Sequence, residues 1–118
     1  RWPDRGRLSE EDPHCLWVDS LLGTGFTGTV SGEVAEAIGL LRRVKGVVVA
    51  VDIPSGLSGE DGSAGPGVVK ARKTYTLGLM KTGLLQGEGP GLTGEIEIVD
   101  ISLPRELLGK VSATKKLT

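Results

Sequence analysis

The sequence has little cysteine, few aromatic residues and almost no net charge, and each shortage excludes a class of protein. A single cysteine, Cys15, cannot form an internal disulfide, which fits a reducing compartment. Two tryptophans, one tyrosine and one phenylalanine are too few to build stacking platforms for single-stranded nucleic acid. The formal net charge of -1 excludes the strongly basic surface that is typical of nucleic-acid binding.

Long apolar runs and metal-binding spacings are absent as well. No apolar run approaches the roughly 20 residues that span a bilayer, and no signal peptide is recognisable. We therefore expect a cytoplasmic protein with neither a membrane nor a nucleic acid as partner. No Cys/His spacing indicates a zinc site. The single histidine, His14, lies beside Pro13 in a polar stretch, which favours a surface position over a catalytic one.

Glycine, by contrast, is abundant, with 19 residues in a chain of 118. The glycines cluster after apolar runs, which predicts tight turns out of strands and close approach of the backbone to a ligand. The length suits one small domain. We expect residues 1–14 to be a polar leader or cut end, residues 15–108 to fold, and residues 109–118 to be a tail or linker.

Apolar patterns predict a strand-helix-strand unit in the first half of the chain. A strand over about Leu16 to Val18 is followed by a glycine-rich loop, and a second, β-branched strand covers Val47 to Val51 and is buried on both faces. The helix between them starts after Ser31, a favourable N-cap, and stops at Gly46. Its apolar face has helical spacing and consists of Val34, Ile38 and Leu41.

The second half of the chain predicts a long loop and two further strands. Residues 53–67 carry two prolines and several glycines, so they form a loop that has room for a small hairpin and is long enough to be functional. Strands follow over about Lys73 to Leu79 and Glu95 to Ile101. Pro104 stops the last strand, and the segment after Leu108 is polar and is expected to be weakly ordered.

Two acidic residues each close an apolar run and open a loop. Asp19 follows Leu16-Trp17-Val18 and leads into SLLGTGFTG, and Asp52 follows the second predicted strand and leads into IPSG. Ligands of open parallel α/β sheets bind beyond the carboxyl ends of the strands. Two carboxylates at two such ends therefore predict a small-molecule site with acid–base or cation chemistry.

The loop from Gly23 to Gly28 matches G-x-G-x-x-G, the dinucleotide-binding fingerprint. Its register is unusual, because the residues from Asp19 to Leu22 separate it from the strand and the helix begins after the motif. Three interpretations stay open: an ordinary Rossmann dehydrogenase, a purely structural turn, and a loop that wraps phosphate or cofactor outside the Rossmann register.

The DIPSG loop and one lysine are further candidates. Pro54 fixes the backbone and Gly56 permits a sharp turn, so the loop presents Asp52 and Ser55 stiffly. The same residues also suit a plain Asx turn, in which the carboxylate bonds nearby backbone amides. Lys81 follows the third predicted strand and is either a ligand contact or an ordinary solvated lysine.

Four segments occur in order over roughly residues 17–104: VDSLLGTGFTG, VVVAVDIPSGL, YTLGLMKTGLL and GEIEIVDISLP. Together they resemble the NAD(P)H-hydrate epimerase family, the YjeF N-terminal domain. The resemblance implies an α/β, Rossmann-like three-layer sandwich with a mostly parallel sheet. It also implies an isomerase that interconverts the R and S forms of hydrated NADH and NADPH. A partner dehydratase that depends on ADP or ATP, fused or separate, then completes the repair.

The resemblance also implies roles for individual residues. Asp19 and Ser55 match ligands of a potassium ion, the implied cofactor, and Asp52 matches an acid that contacts the substrate. The substrate-binding loop corresponds to Gly23, Thr24, Gly25, Phe26, Thr27, Gly28 and Thr29. We take Asp52 as the hypothetical acid–base residue, because a carboxylate can exchange protons with a leaving hydroxyl and an entering water. A homodimer is a further expectation.

One departure from the family pattern affects these expectations. The asparagine- and glycine-rich GNNGGDG-type loop of the family has no counterpart here. We therefore expect the chain to be the carboxyl-terminal half of an epimerase domain, with exposed apolar sheet edges and no activity alone. The alternative functions are a nicotinamide-dependent oxidoreductase and a non-catalytic binding module of the same family.

Overall fold

A computed structural model describes residues 9–26 and 29–116 of the chain. Two residues of the predicted substrate loop, Thr27 and Gly28, lie outside the described residues. The strands are β1 (Leu16–Asp19), β2 (Val47–Val51), β3 (Lys73–Leu77) and β4 (Glu95–Val99). The helices are α1 (Gly32–Arg43), α2 (Thr82–Leu85), α3 (Gly89–Thr93) and α4 (Arg105–Lys116). No helix among the described residues is long and apolar enough to cross a membrane.

The strands form one parallel sheet in the order β1-β2-β3-β4. Asp19 at the end of β1 pairs with Ala50 of β2, which in turn pairs with Thr74 of β3. Because all strands run in the same direction, their carboxyl ends meet at one edge of the sheet. The predicted Rossmann-like α/β class and the parallel sheet are therefore confirmed.

The apolar core lies against one face of this sheet. Helix α1 contributes Ile38 and Leu41 to a cluster that includes Val48 of β2. A second cluster around Ile53, Leu57 and Leu84 includes Ile96 of β4. The strand register places the cluster residues of β2 and β4 on the same face. Of the three layers predicted, the described residues therefore build two.

The first half of the chain folds as its apolar pattern predicts, with one difference at the end of α1. Ser31 is the N-cap of α1, although its side chain makes no capping hydrogen bond. The helix ends at Arg43, with Val44 as its C-cap, rather than at Gly46. A Cβ atom at Gly46 would collide with the carbonyl oxygen of Cys15. Gly46 is therefore needed for close backbone approach at the start of β2, not for a helix stop.

The second half departs further from the prediction. Strands β3 and β4 each end two residues early, because Gly78 turns the chain with a φ of 74° and Asp100 leads into a turn at Ser102. The predicted small hairpin in the long loop is present as an antiparallel bridge between Leu57 and Ala64. Residues up to 116 continue α4, so the segment after Leu108 is helical in this range, and the expectation of weak order there stays a prediction. Arg, Glu, Leu and Lys favour helix even without a marked apolar face.

Candidate functional site

The candidate site lies where the loops after β1, β2 and β3 converge. Asp19 is the last residue of β1, Asp52 directly follows β2, and Lys81 follows β3 by four residues. The parallel sheet brings these loops to one edge, as expected for a site beyond the carboxyl ends of strands. Two pairs of side chains, Asp19 with Ser55 and Asp52 with Lys81, organise this edge.

The first pair joins the loop after β1 to the loop after β2. Asp19 is fully buried, with 0% of its surface exposed. Its Oδ1 accepts hydrogen bonds from Ser55 Oγ (2.6 Å) and Leu21 N (3.3 Å), and its Oδ2 accepts one from Ser55 N (2.7 Å). Ser55 Oγ accepts a further bond from Leu22 N at 2.9 Å. The pair therefore fixes the position at which the glycine-rich loop leaves the sheet.

The same pair is a candidate cation site. All donors to Asp19 are neutral, and no ion pair balances its charge within residues 9–26 and 29–110. An ionised carboxylate has about four acceptor positions, so one is left beside the three hydrogen bonds, and the Ser55 hydroxyl keeps a second lone pair. Carboxylate and hydroxyl oxygens are ligands that hard cations prefer. The donor set therefore fits an alkali cation.

The second carboxylate is held in an unusual backbone conformation. Asp52 has a φ of 72°, in the left-handed region that non-glycine residues rarely adopt. Its backbone N–H donates to Tyr75 O at 2.7 Å, and its Oδ1 accepts from Leu77 N at 3.2 Å. These bonds join Asp52 to the end of β3. The Asx-turn interpretation is wrong for Asp52, and it is Asp19 that bonds the amide two residues ahead.

Lys81 completes this second pair. Its Nζ donates to Asp52 Oδ1 (2.6 Å), Leu77 O (2.7 Å) and Thr76 Oγ1 (3.0 Å). A lysine ammonium has three protons, so all of them are engaged. The two charged side chains are each 19% exposed. Lys81 is therefore a partner of Asp52 and not a solvated lysine, and no Nζ proton is left for a phosphate.

The remaining oxygen of Asp52 faces the glycine-rich loop. Among the described residues, no hydrogen bond reaches Asp52 Oδ2, and a Cβ atom on Gly23 would lie 3.9 Å from it. The next residue, Thr24, lies near the Lys81 side chain, because both are close to Gly59. A Cβ atom on Gly59 would lie 3.2 Å from the methyl group of Thr24. The same hypothetical Cβ would lie 3.7 Å from Lys81 Cγ. The start of the loop thus borders the Asp52–Lys81 pair.

The later residues of the loop lie elsewhere. Phe26 and Thr29 line a neighbouring cavity of about 210 Å³ between α1 and the long loop, together with Arg42 and Gly56. Gly25 faces open space, because none of the described atoms would lie within 4 Å of a Cβ at this position. The described residues of the predicted substrate loop are therefore spread over two adjoining surfaces, which Gly56 and Ser55 connect through the chain.

Sequence reasoning found the two carboxylates, Ser55 and the glycine-rich loop, but it missed Thr76 and the carbonyl group of Leu77. The only sequence signal for them is the alternation of β3, which places Thr74 and Thr76 on its buried face. The interpretation of the loop as that of an ordinary Rossmann dehydrogenase gains no support from geometry, because α1 starts at Gly32, after the glycine motif. A standard dinucleotide fingerprint opens the helix directly.

The fold and the edge geometry define a Rossmann-like domain with a candidate small-molecule site at the carboxyl ends of its strands. The family model described as YjeF-related protein N-terminus matches residues 3–83. The chain belongs to this family.

Individual relatives are similar over most of the chain. An NAD(P)H-hydrate epimerase of Elusimicrobium minutum (strain Pei191) is 42% identical over 94 residues, which cover 80% of this chain and 42% of that protein. An NAD(P)H-hydrate epimerase of Rhodopirellula baltica is 33% identical over 109 residues, 92% of this chain and 43% of that protein. A bifunctional NAD(P)H-hydrate repair enzyme Nnr of Moorella thermoacetica is 36% identical over 102 residues, 86% of this chain and 19% of that protein. The chain spans less than half the length of these relatives.

Proposed function

We propose that this protein interconverts the R and S forms of hydrated NADH and NADPH, an isomerase reaction of nicotinamide nucleotide repair. The observation that carries the proposal is the state of Asp52. One of its oxygens is held by Lys81, and the other faces the glycine-rich loop without a hydrogen bond among the described residues. The similarity to proteins named NAD(P)H-hydrate epimerase supplies the substrate class.

The reaction needs one group that exchanges protons at C6 of the hydrated ring. Asp52 Oδ2 takes up a proton from solvent and gives it to the C6 hydroxyl, which leaves as water when the C–O bond breaks and the electron pair of the ring nitrogen closes a C=N bond. Water then adds to C6 from the other face and returns a proton to Oδ2, so atoms and charge balance. A positioned acid–base group of this kind contributes about 10²–10⁴-fold to a rate.

A potassium ion held by Asp19 and Ser55 is part of the proposal. Its support is the buried carboxylate with only neutral donors, together with the all-oxygen donor set. When bound, the ion supplies a fixed positive charge. The chain's own contribution is to hold the loops after β1 and β2 together, so that the glycine-rich loop stays beside Asp52.

The substrate and the partners follow from the same family. Gly23 to Thr29 form the proposed substrate-binding loop, whose glycines let backbone amides approach phosphate oxygens. The relatives named as bifunctional repair enzymes support a dehydratase partner, fused or separate. A homodimer and a cytoplasmic location complete the proposal and are supported by the family resemblance and the sequence composition respectively.

The direct experiment measures conversion of the R form of hydrated NADH by the full-length natural protein. The assay is coupled to a dehydratase that is specific for the S form. We expect conversion that falls by about 10²-fold or more in Asp52→Asn, since the amide cannot exchange the proton. Glu95→Gln is the matched control, because Glu95 is exposed and lies at the start of β4, at the opposite edge of the sheet from the pair. The melting temperature reports whether each variant folds.

Other outcomes of this experiment decide between the alternative functions. Wild-type activity in a folded Asp52→Asn variant would remove Asp52 from the mechanism. Redox turnover of intact NADH or NADPH would favour an oxidoreductase. A folded protein that converts neither substrate would favour the non-catalytic binding module.

A further inference from the structure

Lys81 is held by hydrogen bonds both at its backbone and at the end of its side chain. Its backbone is the N-cap of α2, and its carbonyl oxygen accepts a hydrogen bond from Leu84 N at 3.1 Å. Leu84 is fully buried in the second apolar cluster. The Nζ end is fixed by three acceptors at the end of β3 and after β2. The side chain therefore has no freedom to reach outward to a ligand.

These contacts restrict Asp52 more than Lys81. The 2.6 Å bond from Nζ is charge-assisted and short, and Leu77 N shares the same oxygen. The left-handed backbone of Asp52 fixes the direction in which the carboxylate leaves the chain. With Oδ1 occupied twice, the carboxylate cannot rotate about its last bond without losing both partners. Oδ2 is the oxygen left beside Gly23.

We infer that Lys81 is a positioning residue of the epimerase site, which holds Asp52 by Oδ1 so that Oδ2 alone exchanges protons with the substrate. This inference rests on the proposed function of Asp52. Lys81 itself does not contact the substrate. The two oxygens of the Asp52 carboxylate have different roles, a difference that the sequence alone does not show.

The acceptor arrangement also explains why the residue is lysine. Asp52 Oδ1, Leu77 O and Thr76 Oγ1 surround one nitrogen at 2.6–3.0 Å. A compact ammonium with three donors fits such a cluster, whereas the planar guanidinium of arginine spreads its donors over a wide fork. We therefore expect Lys81→Arg to restore the charge without restoring the geometry.

Kinetic constants of Lys81→Ala and Lys81→Met test the inference against a purely structural ion pair. Misplacement of a catalytic group by about 1 Å can cost 10²-fold in rate, so we expect kcat to fall by roughly this factor. KM stays within about threefold because Lys81 does not bind the substrate. Added methylammonium fits the space left in Lys81→Ala and restores part of kcat. Lys70→Ala is the control, since Lys70 is an exposed lysine away from the site.

A second variant covers the case in which Lys81 variants do not fold. Thr76→Val removes one of the three acceptors with little change of shape, and we expect a smaller loss of kcat at unchanged KM. Wild-type kcat in folded Lys81→Met, or in folded Thr76→Val if the lysine variants do not fold, would overturn the inference. A change confined to KM would do so too, because it indicates substrate contact. Absence of conversion by the wild-type protein in the same assay would instead overturn the proposed function.

Discussion

At the residue scale, the environments of Asp19 and Asp52 give the two carboxylates different tasks. Asp19 is completely buried and uses both oxygens to hold neighbouring loops. Asp52 is partly exposed, and only one of its oxygens is engaged among the described residues. A carboxylate in the first state suits structure and cation binding, whereas one in the second state suits proton exchange.

The hydrogen bonds between Asp19 and Ser55 lead to a prediction about the stability of the folded protein. Ser55→Ala removes the hydroxyl that donates to Asp19 and accepts from Leu22 N, so a buried carboxylate and an amide each lose a partner. Loss of a buried hydrogen-bond partner costs about 1–3 kcal/mol. Urea unfolding should therefore show a lower midpoint for Ser55→Ala. Ser63→Ala, at an exposed position of the long loop, should stay within about 0.5 kcal/mol of wild type.

The same pair of variants reports on potassium. A ligand that binds only the folded state stabilises it by mass action. Replacing choline chloride by potassium chloride at equal ionic strength should raise the melting temperature of wild type and Ser63→Ala, and raise that of Ser55→Ala less. Equal shifts in all three proteins would argue against a potassium site at Asp19 and Ser55.

At the residue scale, the sequence already indicated Asp19, Asp52 and Ser55, because each follows the end of an apolar strand. The sequence alone does not show which side chains pair with one another. Lys81 is 29 residues from Asp52 in the chain, and their contact depends on where α2 is packed. The sequence therefore does not decide whether Lys81 is a ligand contact or a solvated lysine. The three acceptors around its Nζ show that it is neither.

At the element scale, the position of α2 depends on backbone packing without side chains. Gly83 lies in α2, and a Cβ atom there would collide with the carbonyl oxygen of Ser58. Its N–H donates to Gly59 O at 2.9 Å. Helix α2 therefore packs directly against the loop after β2. This contact fixes the backbone position of Lys81, the N-cap of α2.

Gly83→Ala should consequently destabilise the protein. Forcing an atom into a packed backbone contact costs about 1–3 kcal/mol or more, and urea unfolding measures it. Gly91→Ala in α3 is the matched control, because none of the described atoms outside its chain neighbours and the backbone of α3 would lie within 4 Å of its Cβ position. Alanine favours helix over glycine by about 0.5–1 kcal/mol, so the control should be neutral or slightly stabilising. Equal stability of the two variants would contradict the close packing of α2.

The elements that the sequence predicted best are those with a long or strongly apolar pattern. Strand β2 has the predicted bounds, and α1 has the predicted N-cap and apolar face. Helices α2 and α3 are four and five residues long and rich in glycine, so no helical period has room to develop. Their position comes from tertiary contacts such as that of Gly83, which no local pattern reveals.

At the scale of the whole molecule, the apolar clusters of the described residues cover one face of the parallel sheet and leave the other face without such a cover. Parallel sheets in α/β proteins normally have both faces covered. Here Leu16 and Val18 of β1 are 65% and 55% exposed, and β1 is the first strand of the sheet order, with no further strand beside it among the described residues. The sequence predicted a third layer from family resemblance, since periodicity alone does not count layers.

This exposed face predicts that the 118-residue chain associates with itself at high concentration. Apolar side chains on an unpaired edge strand favour pairing with another chain. Val18→Lys should shift sedimentation toward the monomer, and it should cost little stability because the side chain is already more than half exposed. Leu107→Lys removes an equally exposed apolar side chain from α4 and should leave association unchanged. If both variants associate like wild type, contacts other than this strand hold the chains together; a monomeric wild-type chain at the same concentration would show that its two-layer surface is soluble as it stands.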